Sequence, residues 1–545
     1  MGDTDAVDPE LLGLGLPELF LRAVRRWPDR TAAAFPGERV SYCRLGEQAL
    51  GIVRRLVRAG VAPGDHVGLL IPNSGRFLAT LLGISLCGAV PVPLNTRFRT
   101  DELPYVVEHA DLVGLVTACE AEVNLKGEPV DYPARLAEAL PSLGRDPTVF
   151  CAEAPLLRFV AGYGRPRHPW ITRWPEPSAA PDRGSVALPD RLVPSDPGGT
   201  ALLLYTSGTT SRPKGVHNSH RALVVTGVVA MVGRMGVTAE DVVWSPAPLC
   251  HIGAYVALIG AFATGGRFVS APYFHADQAV DLLAEQRVTV AYAGFPAFYL
   301  DLAAALGRTG RTLAHLRVLT TAAAPGEIER VRAGFPDTLQ VSVTGSTELS
   351  GMICVNHATD TPEQRATTAG LPLDGIEVSI RDERGGPVGP GATGEIWVRG
   401  YCLLSRYHKD PQPVVTGEPD PGWYRTGDLG ALVDGRLSFR GRLKDMIKVG
   451  GENVAAAEVE SFLLRHAAVA RVQVVAAPDA RLGEVPVAFV EPAPGRPVTE
   501  AEILDFCRGS IAAFKVPRAV RFVTEWPMSA TKISKPALRA LLAAG

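Results

Sequence analysis

Lysine is scarce in this chain of 545 residues. Only eight of its 55 basic residues are lysines, at positions 126, 214, 409, 444, 448, 515, 532 and 535. Because 57 acidic residues balance the basic ones, the formal net charge is −2, which excludes a strongly basic surface for nucleic acid. Apolar residues make up 46% and charged residues 21% of the chain, so the sequence also excludes wholesale disorder and indicates a packed globular protein.

Cysteine pairs and long apolar runs are also missing. The eight cysteines form no CxxC pair and no cysteine–histidine cluster, which excludes a disulfide scaffold and a typical zinc site. The most apolar run, Ile252–Ala263, is shorter than the roughly 20 residues that span a bilayer, and it predicts a buried core helix. The acidic N-terminus lacks the basic segment of a signal peptide. We therefore expect a cytoplasmic protein without an integral membrane segment.

Two regions of alternating pattern make up most of the chain. Over the first 140 residues and again from Thr200, short apolar strands alternate with helical patterns, which is typical of βαβ units with parallel sheets. Between them, residues 165–197 contain eight prolines and predict a surface connection instead of a core element. Residues 376–440 carry short strands with glycine-rich turns, and the pattern after Gly441 predicts a final α+β unit. The predicted fold class is α/β, with doubly wound sheets, a small β-rich subdomain and a small α+β unit.

The segment Tyr205–Gly215, YTSGTTSRPKG, is the most informative part of the sequence. Gly208 lets the backbone approach a ligand without a Cβ clash, while hydroxyl groups, free N–H groups and the charge of Lys214 suit phosphate oxygens. The hydroxyls nearest this glycine are those of Thr206, Ser207, Thr209 and Thr210. The GxxxxGK[ST] phosphate loop does not fit, because Pro213 precedes the lysine and Gly215 follows it. On composition alone, a polar surface turn remains the alternative.

This segment resembles the phosphate-binding signature of the acyl-adenylate-forming superfamily, which contains acyl-CoA synthetases, peptide-synthetase adenylation domains and firefly-type luciferases. The family has glycine where this chain has Ser211. The resemblance implies that ATP is a substrate and that its phosphates meet Thr206, Ser207, Gly208, Thr209, Thr210 and Lys214. It covers nearly the whole chain, because further motifs follow in the family's order.

TGSTE at 344–348 is similar to the family's metal-binding signature. There the glutamate holds Mg²⁺ and the threonine contacts phosphate, which implies these roles for Glu348 and Thr347. A carboxylate is also the ligand type that a hard cation prefers. Thr344, beside Gly345, stands where the family has an aromatic residue that packs on adenine. TAAAP at 321–325 resembles the loop that lines the adenine pocket, with small walls at Ala322, Ala323 and Ala324.

Two later motifs resemble the family's ribose and hinge segments. YRTGDLG at 424–430 places Asp428 where the family's carboxylate accepts hydrogen bonds from both ribose hydroxyls. GRLKDMIKVGGEN at 441–453 implies that Arg442 reaches phosphate or ribose and that Lys444 is the hinge. The residues implied in coenzyme A binding and thioester formation are Lys448, Gly450 and Gly451.

WPMSATKISKPALR at 526–539 resembles the segment that carries the family's catalytic lysine. Lys532 takes that place and, together with Glu348 and Thr206, is implied in catalysis. The segment has Thr531 where the family has glycine, and it is one residue shorter. Lys535 therefore stays open as an alternative to Lys532.

The resemblance also implies the domain organisation and the reaction. An N-terminal AMP-binding domain covers 1–441, including a β-rich subdomain at 376–441, and a small mobile C-terminal domain covers 442–545. A carboxylate attacks ATP, with Mg²⁺ as cofactor, to give an acyl adenylate and pyrophosphate. A thiol then takes the acyl group and releases AMP. Between the two steps the C-terminal domain rotates about Lys444, and Lys532 leaves the site.

The segment SPAPLCHIGAY at 245–255 is expected to enter the acyl pocket. His251 matches a family position that lines or gates this pocket, and a hydrogen-bonded core histidine is the alternative. The other pocket candidates, which could equally be core residues, are Ile252, Tyr255 and Phe295. No Asp or Glu occurs from Val242 to Ala276. Since a buried ammonium without a partner is costly, the sequence disfavours α-amino acids and favours a fatty or aromatic acid.

Three hypotheses about function stay open. No carrier-attachment motif follows Gly441, so we expect a diffusible thiol, with coenzyme A as the first choice. The second hypothesis is a stand-alone enzyme that loads a separate carrier protein. The third is a non-catalytic nucleotide-binding relative, which Ser211, Thr344 and the shortened lysine segment suggest.

Overall fold

The computed structural model describes residues 7–119, 122–123, 129–143, 151–176, 195–206, 212–323, 325–417, 420–450, 452–508, 510–529 and 532–543. None of the helices in these ranges is long and apolar enough to cross a membrane. The predicted site residues outside the described residues are Ser207, Gly208, Thr209, Thr210, Ala324 and Gly451. For Lys532, only the backbone is described.

Helices and strands alternate through the first 176 residues. The helices are α1 (Leu16–Arg26), α2 (Tyr42–Arg58), α3 (Gly75–Leu86), α4 (Leu103–His109) and α5 (Tyr132–Ala139). The strands are β1 (Thr31–Phe35), β2 (Glu38–Ser41), β3 (His66–Leu70), β4 (Val90–Pro93), β5 (Leu112–Ala118), β6 (Glu122–Val123), β7 (Pro129–Val130), β8 (Phe159–Tyr163) and β9 (Ile171–Trp174). Serine side chains begin α2 and α3, because Ser41 and Ser74 each accept a hydrogen bond from a backbone N–H of the first turn.

Five of these strands form a parallel sheet in the order β4-β3-β5-β8-β9. This arrangement confirms the βαβ units predicted for the N-terminal region. The interpretation of residues 165–197 as a surface connection was wrong in part. Strand β9 lies in this stretch, and Trp170, Ile171 and Trp174 are buried, because the strand closes the edge of the sheet against β8.

The alternation continues from Thr200 to Pro372. The strands are β10 (Thr200–Thr206), β11 (Lys214–Ser219), β12 (Val242–Trp244), β13 (Arg267–Val269), β14 (Val290–Gly294), β15 (Val318–Thr321), β16 (Leu339–Thr344), β17 (Cys354–Val355) and β18 (Leu371–Pro372). The helices are α6 (His220–Val228), α7 (Ile252–Thr264), α8 (Ala276–Gln286), α9 (Pro296–Thr309), α10 (Pro325–Gly334) and α11 (Pro362–Thr367). Helix α7 is buried along almost its whole length, which confirms the core helix predicted from its apolar run.

A nine-stranded sheet forms the centre of the molecule, in the order β18-β17-β16-β15-β14-β12-β13-β1-β2. The strands from β16 to β1 are parallel, and antiparallel strands close both edges. Strand β10 does not join this sheet. It pairs with β11 in a separate antiparallel sheet, a difference from the parallel pattern that the alternation predicted.

The remaining strands and helices form two smaller units. The strands β19 (Ile376–Arg381), β20 (Gly394–Gly400), β21 (Arg406–Tyr407), β22 (Tyr424–Val433) and β23 (Arg436–Arg442) come first. Four of them form the antiparallel sheet β19-β20-β22-β23, as predicted. The last unit contains β24 (Met446–Val449), β25 (Glu452–Ala455), α12 (Ala456–Leu463), β26 (Val469–Asp479), β27 (Gly483–Pro492), α13 (Glu500–Cys507), β28 (Ala519–Phe522), β29 (Met528–Ser529), β30 (Lys532–Ile533) and α14 (Lys535–Ala543).

Asp241 ties three segments together where the parallel strands begin. Its carboxylate accepts hydrogen bonds from Thr238 N at 2.8 Å, Thr289 Oγ1 at 2.7 Å and Arg317 Nε at 2.8 Å. Burial acts to raise the pKa of Asp241, but the hydrogen bonds from Arg317, Thr289 and Thr238 outweigh it and hold the pKa below its ordinary value. The ionised carboxylate therefore stabilises the fold at this end of the sheet.

We expect Asp241→Asn to lower the free energy of unfolding by about 1–3 kcal/mol, because Arg317 loses its charged partner. A carboxyl with a depressed pKa contributes stability above its unfolded value, here 3.8, and that contribution disappears as the pH falls. Denaturant unfolding at neutral and at acidic pH measures both effects. An equal loss of stability at the two pH values would contradict the role of the charge.

Candidate active site

The segment predicted to bind phosphate begins in β10 and ends in β11. The two strands are antiparallel, and Thr206 is paired directly with Lys214. The hydroxyl of Tyr105 donates a hydrogen bond to Pro213 O at 3.1 Å, which holds the returning arm. The sequence did not predict β11, because its residues KGVHNS are polar and lack the apolar pattern of a strand.

A second antiparallel strand, β21, lies against the other side of β11. A Cβ at Gly215 would stand 3.0 Å from both His408 Cβ and Leu203 Cδ1, so glycine allows the close approach of β21. The His408 N–H donates to Gly215 O at 2.8 Å. Strand β11 is therefore the middle strand of a small sheet, and it begins at Lys214 of the segment predicted to bind phosphate.

Glu348 lies in a 3-10 turn, Thr347–Leu349, just after β16. The chain folds back so tightly there that a Cβ at Gly345 would stand 1.8 Å from Gly351 O, and this position requires glycine. Sequence reasoning missed Asn218, a fully buried residue of β11. Its side chain donates to Thr347 O at 2.8 Å and to Ser350 Oγ at 3.0 Å. The same strand thus begins at Lys214 and holds the Glu348 turn near its other end.

The oxygen donors around this turn fit Mg²⁺. The side chains of Glu348 and Thr347 in this turn and of Thr206 at the end of β10 are all half-buried, and carboxylate and hydroxyl oxygens are hard ligands. Among the described residues, no group of three or more His, Cys, Asp or Glu side chains forms a metal site by itself. A single carboxylate suits Mg²⁺, which keeps several water ligands and binds substrate phosphates.

The adenine-pocket candidates lie at the carboxyl ends of β15 and β16, which are parallel neighbours. Ala322 follows β15 and donates from its backbone N–H to Gly294 O at the end of β14. Thr344 ends β16 and is half-buried. The structure therefore brings Ala322, Ala323, Thr344 and Gly345 to one edge of the sheet.

Asp428 and Arg442 come from two separate motifs but face each other across β22 and β23. Arg442 Nε lies 3.1 Å from Asp428 Oδ1. Glu395, a buried residue that sequence reasoning missed, holds the turn before Asp428. Its carboxylate accepts hydrogen bonds from Gly427 N at 3.2 Å and from the side chain of Arg425 at 3.0 Å. Isolated in a strand sequence, Glu395 offers no pattern that distinguishes it from a surface residue.

The hinge candidate Lys444 lies in a 3-10 turn between β23 and β24. Burial, together with the nearby charge of Arg442, lowers the pKa of Lys444. Arg539 of α14 reaches back to Asp445 at 3.1 Å, so the last helix contacts the hinge turn. Beyond the turn, Lys448 is exposed on β24, and Gly450 follows that strand at a left-handed φ of 58°.

Lys535 is held inside the C-terminal unit by an ion pair. Its Nζ lies 2.7 Å from Glu460 Oε1, and their side chains are 16% and 14% exposed. Glu460 also accepts a hydrogen bond from Val474 N. Lys532 lies on β30, paired with Ser529 in a short hairpin. The ion pair holds the charge of Lys535 inside the C-terminal unit, and the catalytic role of Lys532 stays a prediction.

The start of α7 lies between the end of β14 and the Glu348 turn. His251 immediately precedes the helix, Gly253 packs next to Tyr292, and Val256 and Ile252 pack against Gly351. The acyl-pocket candidates His251 and Ile252 are therefore close to the proposed metal site. Phe295, which is half-buried, precedes α9, and its ring centroid is 6.4 Å from that of Phe298.

Asn73 and Tyr255 hold the loop before α7. The Asn73 side chain donates to Ala247 O at 3.0 Å and accepts from Leu249 N at 2.8 Å. Tyr255 is fully buried, and its hydroxyl donates to Leu249 O at 2.7 Å. The structure therefore places Tyr255 in the core beneath the loop, and not on an exposed pocket wall. Ile252 is also nearly buried, at 8% exposure.

Four histidines cluster beneath the phosphate hairpin: His66, His109, His217 and His408. Neighbouring ring centroids are 5.1 to 5.9 Å apart. His217 Nε2 lies 2.9 Å from His408 Nδ1, and His109 Nδ1 lies 2.8 Å from the hydroxyl of Tyr205. Burial lowers the pKa of His217 to about 3 and that of His408 to about 4. The sequence carries no sign of this cluster, since its members come from four separate segments.

Comparison with known protein families agrees with the motifs. The profile described as AMP-binding enzyme matches residues 20–408, and the AMP-binding enzyme C-terminal domain matches residues 458–532. The chain belongs to the AMP-binding enzyme family. This result confirms the resemblance to acyl-adenylate-forming enzymes.

Several members of the family are similar to this AMP-binding enzyme over almost their whole length. Indoleacetate–CoA ligase of Aromatoleum aromaticum is 34% identical over 530 residues, which cover 95% of this chain and 96% of that protein. Feruloyl-CoA synthase of an Amycolatopsis species is 31% identical over 530 residues, with 96% and 98% covered. The anthranilate CoA ligase AuaEII, solved in complex with anthranoyl-AMP, has the same fold, with a TM-score of 0.82 at 24% identity over 100% of both chains.

The histidine cluster makes the stability of this AMP-binding enzyme sensitive to acid. His217 and His408 stay neutral in the folded protein at pH values where they take up protons in the unfolded chain. We therefore expect the free energy of unfolding to fall between pH 6.5 and 4, by at most about 1.4 kcal/mol per pH unit for each histidine. His217→Gln should flatten this pH dependence, as measured by denaturant unfolding. The control is the exposed His315→Gln, and equal slopes in the two variants would contradict the role of His217.

Proposed function

We propose that the strands around β11 bind ATP and that the start of α7 receives an apolar carboxylic acid. The overall reaction is that of an AMP-forming acid–CoA ligase. The carboxylate and ATP give an acyl adenylate and pyrophosphate, and coenzyme A then takes the acyl group and releases AMP. The enzyme uses ATP and coenzyme A as co-substrates and Mg²⁺ as its metal. The proposed nucleotide ligands are Thr206, Lys214, Thr347, Glu348, Asp428 and Arg442.

The observation that carries this proposal is the attachment of two motifs to one strand. Lys214 begins β11 beside Thr206, and Asn218 binds the turn that contains Glu348. A triphosphate between them would meet a cation and hydroxyls on one side and the carboxylate that holds its metal on the other. This arrangement supports a site for a metal–nucleotide complex.

The proposed residues would stabilise the negative charge that develops in the first step. A carboxylate and a triphosphate repel each other, and negative charge gathers on phosphate oxygens in the transition state. Lys214 and Lys532 would supply compact charges that approach single oxygens, and Arg442 would supply a broader one. Mg²⁺ held by Glu348 adds a Lewis acid on the phosphates when it is bound.

The absence of acidic residues near the start of α7 supports an apolar acid. No Asp or Glu occurs from Val242 to Ala276, so an α-ammonium group would find no carboxylate from this segment. His251 is polar, but an imidazole carries no negative charge that could pair with an ammonium group. We therefore propose a fatty or aromatic acid as substrate. The relatives described as an indoleacetate ligase and a feruloyl-CoA synthase support the aromatic class.

For the second step we propose rotation of the C-terminal domain, residues 442–545, about Lys444. In the described structure this unit touches α9 and α10 through polar contacts. Arg471 lies 2.9 Å from Asp301, and Arg330 donates to Ala470 O at 2.7 Å. Contacts of this kind can be exchanged with solvent at small cost. Rotation would bring the residues proposed to act in thioester formation into the site: Lys448, Gly450 and Gly451.

Coenzyme A is the acceptor. The alternative proposal is that the enzyme loads the acyl group onto a separate carrier protein.

The test is acid-dependent ATP–pyrophosphate exchange over a panel of fatty, aromatic and α-amino acids, followed by addition of coenzyme A. We expect exchange with an apolar acid at least about tenfold above any amino acid, because an unpaired buried charge costs several kcal/mol. Preference for an amino acid would contradict the pocket assignment. Formation of acyl-CoA is detected by mass spectrometry, and exchange without a thioester product would favour a carrier protein.

The cytoplasmic location stays a prediction.

Lys532→Ala should separate the two half-reactions. We expect adenylation to fall by about 100-fold or more, because a charge that stabilises the transition state is lost. Thioester formation from a synthetic acyl adenylate should change by less than about threefold, since Lys532 is proposed to leave the site before this step.

Lys535→Ala is the matched control for this prediction. It removes a neighbouring lysine whose charge is already paired with Glu460. We expect it to retain adenylation at temperatures where it is folded. Equal loss of both half-reactions in Lys532→Ala, or a larger adenylation defect in Lys535→Ala, would contradict the assignment.

A further inference from the structure

Glu395 binds the ribose motif through both of its carboxylate oxygens. Oε1 accepts a hydrogen bond from Gly427 N at 3.2 Å, and Oε2 accepts one from Arg425 Nε at 3.0 Å. Oε2 also accepts a hydrogen bond from Trp397 Nε1 at 2.9 Å. Glu395 is only 7% exposed, and a buried carboxylate is costly unless it is paired and hydrogen-bonded. Two of the three residues that satisfy it belong to the ribose motif.

The part of the ribose motif that Glu395 binds is a bulge in the sheet. Glu395 of β20 is opposite Leu429 of β22, and Trp397 is opposite Arg425. One residue of β20 therefore lies opposite three of β22, residues 426–428. The middle one of these three is a glycine with a left-handed φ of 69°. Because bulged residues fall outside the regular ladder of hydrogen bonds, the shape of this bulge depends on the side chains that bind it.

Asp428 is the last residue of this bulge. Its backbone N–H donates to Thr426 Oγ1 at 3.0 Å, and the same hydroxyl donates to Ile396 O at 2.7 Å. Gly427, the residue before Asp428, is bound by Glu395. Two side chains thus fix the backbone from which the Asp428 carboxylate, 21% exposed, projects. A group that is held in place before the ligand arrives needs little reorganisation when the ligand binds.

A stack of tryptophan and arginine side chains restrains Glu395 itself. Arg381 and Arg425 lie over the ring of Trp397, with their Cζ atoms 4.5 Å and 5.3 Å from its centroid. Arg381 also lies over the ring of Trp423, at 4.7 Å. Arg381 and Trp397 are each 7% exposed, and cation–π contacts that are shielded from water are stronger than exposed ones. The indole N–H that Trp397 donates to Glu395 is therefore held in one direction.

We propose that Glu395 is a positioning residue that fixes Asp428 for the two ribose hydroxyls and thereby sets the preference of the site for ribonucleotides over deoxyribonucleotides. The sugar ring fixes the two hydroxyls relative to each other, so a carboxylate that meets both must lie in one orientation. A site built to bind a hydroxyl rejects the analogue that lacks it. A 2′-deoxyribose therefore gains less from a well-placed carboxylate and loses less when the carboxylate is displaced. This inference rests on the proposed ribose role of Asp428.

The test is the affinity for AMP and for 2′-deoxy-AMP, measured by calorimetry, which requires neither the metal nor the acid. The two nucleotides share base and phosphate, so the ratio of their dissociation constants isolates one hydroxyl. We expect the unsubstituted protein to prefer AMP by about tenfold or more, the size of one hydrogen bond to a charged group.

Glu395→Gln should lower this preference to below about threefold, mainly through weaker binding of AMP. Both carboxylate oxygens accept hydrogen bonds, so the amide must turn its NH₂ group toward a donor, either Gly427 or Arg425. A preference that falls by less than about twofold would overturn the proposal, whether both affinities stay the same or both fall equally, because a general structural defect leaves the ratio unchanged.

Two further variants separate the possible causes of a change. Glu377→Gln is the matched control, because Glu377 lies in the same sheet and its carboxylate is 2.7 Å from Arg399, away from the ribose motif. It should leave the preference unchanged. Glu395→Asp keeps the charge for Arg425 but is one methylene shorter, so it should give an intermediate preference. If Glu395→Gln does not fold, Glu395→Asp carries the test, and a preference equal to that of the unsubstituted protein would overturn the proposal.

Asp428→Asn separates this inference from the proposed function. If Asp428→Asn keeps the full preference for AMP, the ribose role of Asp428 fails and the role of Glu395 fails with it. If Asp428→Asn loses the preference and Glu395→Gln keeps it, only the inference fails. In the Asp428→Asn background, Glu395→Gln should lower AMP affinity by less than about twofold, because residues that act through one another are not additive. Independent losses in both backgrounds would assign Glu395 a separate structural role and overturn the proposal.

Discussion

The antiparallel pairing of β11 is the constraint on which the candidate site depends. This six-residue strand is bonded to β10 on one side and to β21 on the other. Because backbone hydrogen bonds fix its position, the separation of Lys214 and Asn218 is set by strand geometry at roughly 13 Å. Asn218 links the strand to the Glu348 turn by hydrogen bonds. Gly215 lets β21 come close enough to complete the sheet. The groups proposed to bind the nucleotide are thus arranged by main-chain pairing, with the buried Asn218 side chain as the link to the Glu348 turn.

Four of the scarce lysines, all among the described residues, have one of two kinds of partner. Three are paired with carboxylates and contribute to packing: Lys409 with Asp111, Lys515 with Glu458 and Lys535 with Glu460. Lys214 instead rests on the ring of Tyr407. A neutral aromatic partner leaves a charge available, whereas an ion pair neutralises it. The presence of a lysine in a motif therefore does not show that it acts in the site, and Lys535 is the residue for which the distinction matters.

The sequence pattern was sufficient to predict a helix or strand where its residues are apolar and regularly spaced. The apolar strands of the two alternating regions and the core helix α7 were predicted because continuous apolar residues must be buried. The pattern failed at β9, where prolines surround a strand that is buried at the sheet edge. It also failed at β11, where polar residues bind other segments. In both cases tertiary pairing stabilises a strand that its own composition does not favour.

The sequence by itself determined the α/β class, the order of the motifs and the chemistry of groups such as Lys214, Glu348 and Asp428. These properties follow from side-chain type and short-range periodicity, which are local. Only the tertiary structure decided the contacts between distant segments: the pairing of Arg442 with Asp428, the position of Tyr407 and the clustering of the four histidines. Such contacts arise when strand crossovers bring together residues tens or hundreds of positions apart. No local pattern records which residues will meet, because that depends on the register of the sheets.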